Sequence, residues 1–447
     1  MKNNVIFEKV KRAKEASTLL GKIAPEAKNM ALLKASESIL KKKDELMASN
    51  KKDIANASLL LEKGEITKSI IDRLKLDDAK IEEISKMISS VANLKDPVGQ
   101  VLYSIKMDEG LELFKVTVPF GVIFSIFESR PDALPQIASL CMKSGNSVIL
   151  KGGSEALESN RTLFEILEEA FAAAGLPEGC IQLVEGREAI TTLLKMDNMV
   201  DLVVPRGSNE FVRYIQENTR IPVLGHSSGI CHVFVDSEAD LTKALRICID
   251  ARVQYPAACN SMKVLLVDYR IADIFIPLLS KELIERGVRI KGCPTTVGIL
   301  SRSGISVESA GDSDWNKEYL DLTLPIRVVN SLGDAIAHIN NFGSRHTDAI
   351  ITENMEKAKQ FIQSVDSASV FHNASTRFSD GYRYGLGAEV GISTNKIHAR
   401  GPVGLEGLVT TKYILIGNGH IVSDYVGKNA KPFLHKEIDR DWEARLK

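Results

Sequence analysis

Cys259 lies in QYPAACNSM, a loop of proline and small residues that enters the apolar run Val264 to Val267. A thiolate nucleophile needs exposure and a setting that lowers its pKa, and a short loop with backbone N–H groups nearby provides both. The alternative is a buried structural cysteine, the reading preferred for Cys141 and Cys248 in their helical patterns. Local sequence leaves both open for Cys259. The six cysteines lie far apart, with no Cys-x-x-Cys pair and no Cys/His cluster at zinc spacing, so neither a metal centre nor a disulfide framework is expected.

Three short loops follow apolar runs: Glu128-Ser129-Arg130-Pro131, Lys151-Gly152-Gly153-Ser154 and Pro205-Arg206-Gly207-Ser208. Glycine lets backbone approach a phosphate closely, so these loops are candidates for holding a dinucleotide. No G-x-G-x-x-G fingerprint occurs, and ordinary turn chemistry is the competing account. The stretch from Gly381 to Gly404 carries Glu389, Lys396, His398 and Arg400 with few apolar residues. With Ser375-Thr376-Arg377 it suits an anionic ligand, against the alternative of a solvated loop. His398 alone reads more simply as a hydrogen-bonded structural histidine.

The elements that must position these residues form an alternating series. Leu33, Leu40 and Met47 repeat at seven, and Ile81, Ile84, Ile88 and Val91 share one helical face, so helices are expected from Asn4 to about Asn93. Asp77 and Asp78 stand where an N-cap belongs, and Asp96-Pro97 stops the helix. A hairpin over Val98 to Val118, turning at Asp108-Glu109-Gly110, offers an oligomer edge. Strands at Val122 to Phe127, Val148 to Leu150, Ile181 to Val184 and Leu202 to Val204 then alternate with helices, which predicts a doubly wound parallel sheet with ligands at the carboxyl ends of its strands. A second α/β series begins at Cys231 to Val235, continues at Val264 to Val267, and resumes at Asp348 to Thr352 and Ser369 to Phe371. Two successive units suggest a cofactor domain and a chemistry domain with a cleft between them.

Composition agrees with an enzyme of this kind. The 447 residues exceed one ordinary core, and 57 Lys plus Arg against 58 Asp plus Glu give no reason to expect nucleic acid or a membrane surface as partner. The start, MKNNVIFEKVKRAKEAS, lacks a secretory h-region, and no apolar run approaches the roughly 18 residues that span a bilayer. A small-molecule substrate and a cytoplasmic location are expected.

In order, the segments ESRP, ILKGG, PRGS, QYPAACN, AIAHINNFGSRHTDAI, NASTRFSDG and GLGAEVGISTNKIHARGP closely resemble the gamma-glutamyl phosphate reductase family, a branch of the aldehyde dehydrogenase superfamily. The match runs from the first helix to about Gly419, and the tail containing KPFLHK is also similar. One departure is Phe342, where family members usually carry His or Tyr.

The resemblance implies the aldehyde dehydrogenase-like α/β fold, with two doubly wound domains and a small oligomerisation element. Residues 1–96 and 118–225 would bind NADPH, 226–404 would carry the chemistry, and 97–117 with 405–447 would serve a homo-oligomer. It implies Cys259 as nucleophile and Ser129 as an oxyanion donor beside the Cys259 N–H. Lys151, Gly152, Ser154, Gly207, Ser208 and Glu318 would hold the cofactor, although Glu318 also reads as a solvated charge. Arg130, Asn260, Arg377, Glu389 and Arg400 would hold gamma-glutamyl phosphate, delivered by a glutamate 5-kinase partner. His226, in VLGHSSG, stands near where oxidising relatives place a water-activating glutamate, so reduction of an acyl phosphate is favoured over aldehyde oxidation. The competing readings are a semialdehyde or acylating dehydrogenase of the same fold, and a non-catalytic oligomeric scaffold.

Overall fold

The computed structural model describes residues 2–225 and 228–446. His226 therefore lies outside the described residues. Five helices come first, Lys2–Leu20, Pro25–Lys41, Lys43–Glu62, Lys68–Leu74 and Asp78–Asn93. Asp77 caps the last of them by accepting the Lys80 N–H, and its face of Ile81, Ile84, Ile88 and Val91 is buried. That face joins the core of the first sheet.

The first sheet orders its strands Ile181–Leu183, Ser147–Lys151, Val122–Phe127 and Leu202–Arg206, all parallel. Every residue of Val122–Phe127 is buried, as expected of a strand covered on both faces by helices. The second sheet has seven parallel strands in the order Glu308–Ser309, Arg289–Gly292, Thr323–Val329, Met262–Asp268, Cys231–Val235, Thr347–Ile351 and Ser369–His372. The hairpin strands Val101–Asp108 and Leu111–Pro119 form a separate antiparallel sheet, which Val409–Ile416 extends.

The alternation read from the sequence matches this architecture, with Val122–Phe127, Ala133–Lys143 and Cys231–Val235 at the expected bounds. Between Glu285 and Thr347 the reading missed strand Arg289–Gly292, helix Pro294–Arg302, strand Thr323–Val329 and helix Leu332–Phe342. Their signals are weak for physical reasons. Arg289–Gly292 is only four residues long, and Pro325 sits inside a strand paired on both sides, a place proline seldom occupies. Among the described residues no helix is long and apolar enough to cross a membrane, and no His/Cys/Asp/Glu group could hold a metal ion.

Candidate active site

The two sheets present opposite ends to the site. The loops of the first sheet leave the carboxyl ends of their strands, where open parallel sheets bind their ligands. Cys259 instead precedes Met262–Asp268, so the nucleophile candidate stands at the amino edge of the second sheet.

The Cys259 loop is fixed from beneath and behind. Helix Leu241–Val253 delivers the chain to it, and Ala258 N–H and Ser261 N–H close turns on Tyr255 O and Ala258 O. The N–H groups of Cys259 and Asn260 have no acceptor among the described residues, which leaves two adjacent donors beside the thiol. Cys259 is half-buried, whereas the other five cysteines are buried. Burial pushes the thiols of Cys141, Cys231 and Cys248 up and that of Cys180 to about 12. At Cys293 hydrogen bonds from Thr296 and from backbone outweigh burial and lower the thiol pKa.

Lys263 is wholly buried under this loop and donates to Pro256 O (2.7 Å), Ala258 O (3.0 Å) and Ser261 Oγ (2.8 Å). Burial, with help from the nearby Arg252 charge, brings its pKa down to about 8. Arg252 donates to Met262 O (2.9 Å), while its Nε and one terminal nitrogen find no partner among the described residues. Glu318 is half-buried, and its charge acts on Lys263. Gly229 abuts the loop, because a Cβ there would stand 2.6 Å from the Cys259 Cα and Cβ. Any side chain at Gly229 would displace the thiol.

Several expected ligand residues converge here. Asn260 is buried and donates to Ser379 O (2.7 Å), with its Oδ1 unpartnered among the described residues. The guanidinium of Arg377 donates to Gln254 (2.8 Å) and lies 5.8 Å from the Tyr255 ring centre. Burial lowers its pKa, and Cys259 is among the charges acting on it. Arg130, Arg206 and Glu389 line one cavity of about 720 Å³. Arg400 stands apart from these groups. It pairs with Asp366 (3.1 Å), which Lys396 also contacts (2.7 Å), beside the outermost strand Ser369–His372.

Ser129 is placed differently from the expectation. At a φ of 49° its N–H and hydroxyl both donate to Glu155, at 2.6 and 2.7 Å, so neither donor is free for an oxyanion. Glu155 attracts both because its carboxylate folds back over Gly153. The adjacent loops do form a cradle. A Cβ on Gly207 would stand 2.8 Å from the Phe211 ring and 3.2 Å from Glu128, and one on Gly152 would strike Asn160. Ser208 caps helix Asn209–Glu217 by accepting the Phe211 N–H (3.3 Å), so the helix N-terminus opens onto the cradle. Ser154 is exposed at the rim. Burial lowers the Lys151 pKa, and burial followed by the Glu155 charge raises that of Glu128.

Sequence reasoning missed Gly229 and Lys263, and it took Arg206 only as part of a candidate dinucleotide loop. A lysine inside the otherwise apolar strand Met262–Asp268 was the available signal for Lys263, since a charge in a strand buried on both faces requires an explanation. Gly229 left none, because its role depends on a loop thirty residues away in the chain.

Residues 2–290 match the aldehyde dehydrogenase family model. The chain is 52% identical over 442 residues to the gamma-glutamyl phosphate reductase of Methanosarcina mazei, covering 98% of this chain and 99% of the relative. Identity to the corresponding Natronomonas pharaonis protein is also 52%, over 434 residues, covering 97% and 98% of the two chains. The crystal structure of gamma-glutamyl phosphate reductase from Thermotoga maritima superposes with a TM-score of 0.88 at 39% identity, covering 93% of this chain and 99% of that one. An acetylating aldehyde dehydrogenase from Geobacillus thermoglucosidasius shares the fold at 17% identity and a TM-score of 0.66, covering 94% and 98%.

Proposed function

The chain belongs to the aldehyde dehydrogenase family and, within it, to the gamma-glutamyl phosphate reductases, and from that premise we propose that it reduces gamma-glutamyl 5-phosphate to glutamate 5-semialdehyde and phosphate with NADPH, a step of proline synthesis. The observation that carries the chemistry is Cys259, half-buried and flanked by two N–H groups without acceptors among the described residues.

Attack of the Cys259 thiolate on the acyl carbon forms the C–S bond of a thioester as the C–O bond to phosphate breaks. The free N–H groups of Cys259 and Asn260 stabilise the oxyanion, and preformed donors of this kind are usually the largest catalytic contribution. Arg377, desolvated in the electrostatic reach of Cys259, accompanies the departing phosphate. NADPH held by the Lys151-Gly152 and Gly207-Ser208 loops would supply a hydride for reduction of this thioester. Cys259 then leaves as thiolate and the aldehyde is released.

Lys151, Gly152, Gly207 and the N-terminus of helix Asn209–Glu217 fit a dinucleotide, with glycine where backbone must come close and positive charge where phosphate would lie. The preference for a 2'-phosphorylated cofactor rests on Lys151 and on Ser154 in place of a carboxylate. The Glu155 carboxylate is engaged by Ser129. Tyr413 and Leu415, exposed on the outer strand of the hairpin sheet, support a homo-oligomer.

The test is phosphate-dependent reduction of NADP by glutamate 5-semialdehyde. Turnover that requires phosphate and fails with coenzyme A supports the assignment. Turnover with coenzyme A alone would make the chain an acylating dehydrogenase, and none with either would leave a scaffold.

A further inference from the structure

Within the cavity of about 720 Å³, charges of both signs face one another, yet two of them form no ion pair among the described residues. Arg130 is paired with Asp132 at 2.9 Å. Arg206 ends strand Leu202–Arg206 and makes one hydrogen bond, to the neutral Gln136 Oε1 at 3.0 Å. Among the described residues Glu389 accepts only the Gly381 N–H, at 2.8 Å. Neither Arg206 nor Glu389 has an oppositely charged group within ion-pair distance among the described residues. Desolvation lowers the pKa of Arg206 and raises that of Glu389, and each acts on the other.

Both side chains are held by rigid backbone. Glu389 lies between buried Ala388 and Val390, and Val390 and Gly391 are bonded to Val403 at 2.9 and 2.8 Å. Gly391 passes the stem of Arg206, where an added Cβ would stand 3.8 Å from its Cγ. An unpaired cation and an unpaired anion fixed in one cavity each carry a desolvation cost that a ligand with the converse charges offsets.

We infer that this cavity is the subsite for the α-amino-acid end of the substrate, with the Arg206 guanidinium gripping the α-carboxylate and the Glu389 carboxylate receiving the α-ammonium. The inference rests on the reading of Cys259 as nucleophile toward a glutamyl substrate. Three carbon–carbon bonds separate the α-carbon from the reacting carbon, and the cavity adjoins the Cys259 loop, since Asp380 in its lining follows Ser379, whose carbonyl accepts from Asn260 at 2.7 Å. A planar guanidinium matches a carboxylate bidentately, which a lone lysine would not.

The experiment compares kcat/KM for three aldehydes with NADP and phosphate: glutamate 5-semialdehyde, its counterpart without the amine, and its counterpart without the carboxylate. Glu389→Gln should lower kcat/KM about ten- to a hundredfold for the amine-bearing aldehydes and leave the amine-free one within about threefold. Arg206→Met should do the same for the carboxylate-bearing pair and spare the carboxylate-free one, and Arg206→Lys should recover part of the loss. Because each variant is compared with the unmodified enzyme on the same aldehyde, cyclisation of the amine-bearing aldehydes to imines cancels, and taking the ratio of these effects between aldehydes cancels partial loss of folded enzyme. Equal losses for all three aldehydes overturn the subsite, and so does an Arg206→Met effect confined to the KM for phosphate. In either case normal turnover by the unmodified enzyme leaves the parent reading intact. Failure of the unmodified enzyme with every aldehyde overturns both.

Discussion

Two groups of buried basic side chains divide the molecule by how their charge is met. Under the helical layer, Lys28 is paired with Asp96 at 2.5 Å and donates to Lys143 O at 3.1 Å, while Lys143 donates to Asn29 and to Ala92 O. Under the nucleophile loop, Lys263 meets two carbonyls and a hydroxyl, and two nitrogens of Arg252 meet nothing. The first group is closed: each cation is answered by an acceptor and the set ties helices together. The second has no ion pair among the described residues, and its lysine lies under the loop that carries a thiol. A buried charge left without its counter-ion is costly, so its persistence points to a task at that place.

Removing the group that the open cluster faces gives the largest effect. Cys259→Ala should cut turnover by at least about a thousandfold without lowering the unfolding midpoint, because the covalent step is lost and no core contact is. Retained activity of more than a few per cent in a steady-state assay would transfer the role elsewhere. In the intact protein, a thiol reagent followed by peptide mapping should modify Cys259 first. Faster labelling of Cys293, whose thiol pKa is lowered although the residue is buried, would oppose this ranking.

Lys28→Met attacks the closed group and strands Asp96. We expect about 3–5 kcal/mol of lost stability in denaturant titrations, with kcat unchanged in the protein that remains folded. A loss below about 1 kcal/mol would erase the distinction between the two groups.

Lys263→Met tests the open group through pH. The folded-state pKa, about 8, lies below the ordinary 10.5, so the unfolded chain binds this proton more tightly. The penalty for burying the charge is therefore full below pH 8 and vanishes as pH rises toward 10.5. Stability of the unmodified protein should gain up to about 3 kcal/mol across that window relative to the variant. Parallel pH profiles for the two proteins would show that Lys263 titrates normally.

The smallest effect concerns the cradle. Ser154→Glu should weaken NADPH by about 1–3 kcal/mol and leave NADH nearly unchanged, since the new carboxylate opposes only the 2'-phosphate. Equal kcat/KM for the two cofactors in the unmodified enzyme would remove the basis for this preference.

Much of this arrangement was legible in the chain itself. Periodicity placed the helix Asp78–Asn93 and its Asp77 cap, because the apolar spacing and the capping residue are local signals. Apolar runs bounded by short loops marked the strands of the first sheet and the beginning and end of the second, and the small-residue loop singled out Cys259. What the tertiary structure alone decided depends on contacts between distant segments. Ser129 was turned onto Glu155, twenty-six residues away, and Arg400 onto Asp366, thirty-four away, because charge partners are chosen by proximity in space. Gly229 acquired its role only when the Cys259 loop was packed against it, and Arg206 was left unpaired while its neighbour Arg130 was neutralised by Asp132. Sequence specifies which groups are charged and which segments are buried, but whether a buried charge is answered is fixed only when the sheets and loops have closed around it.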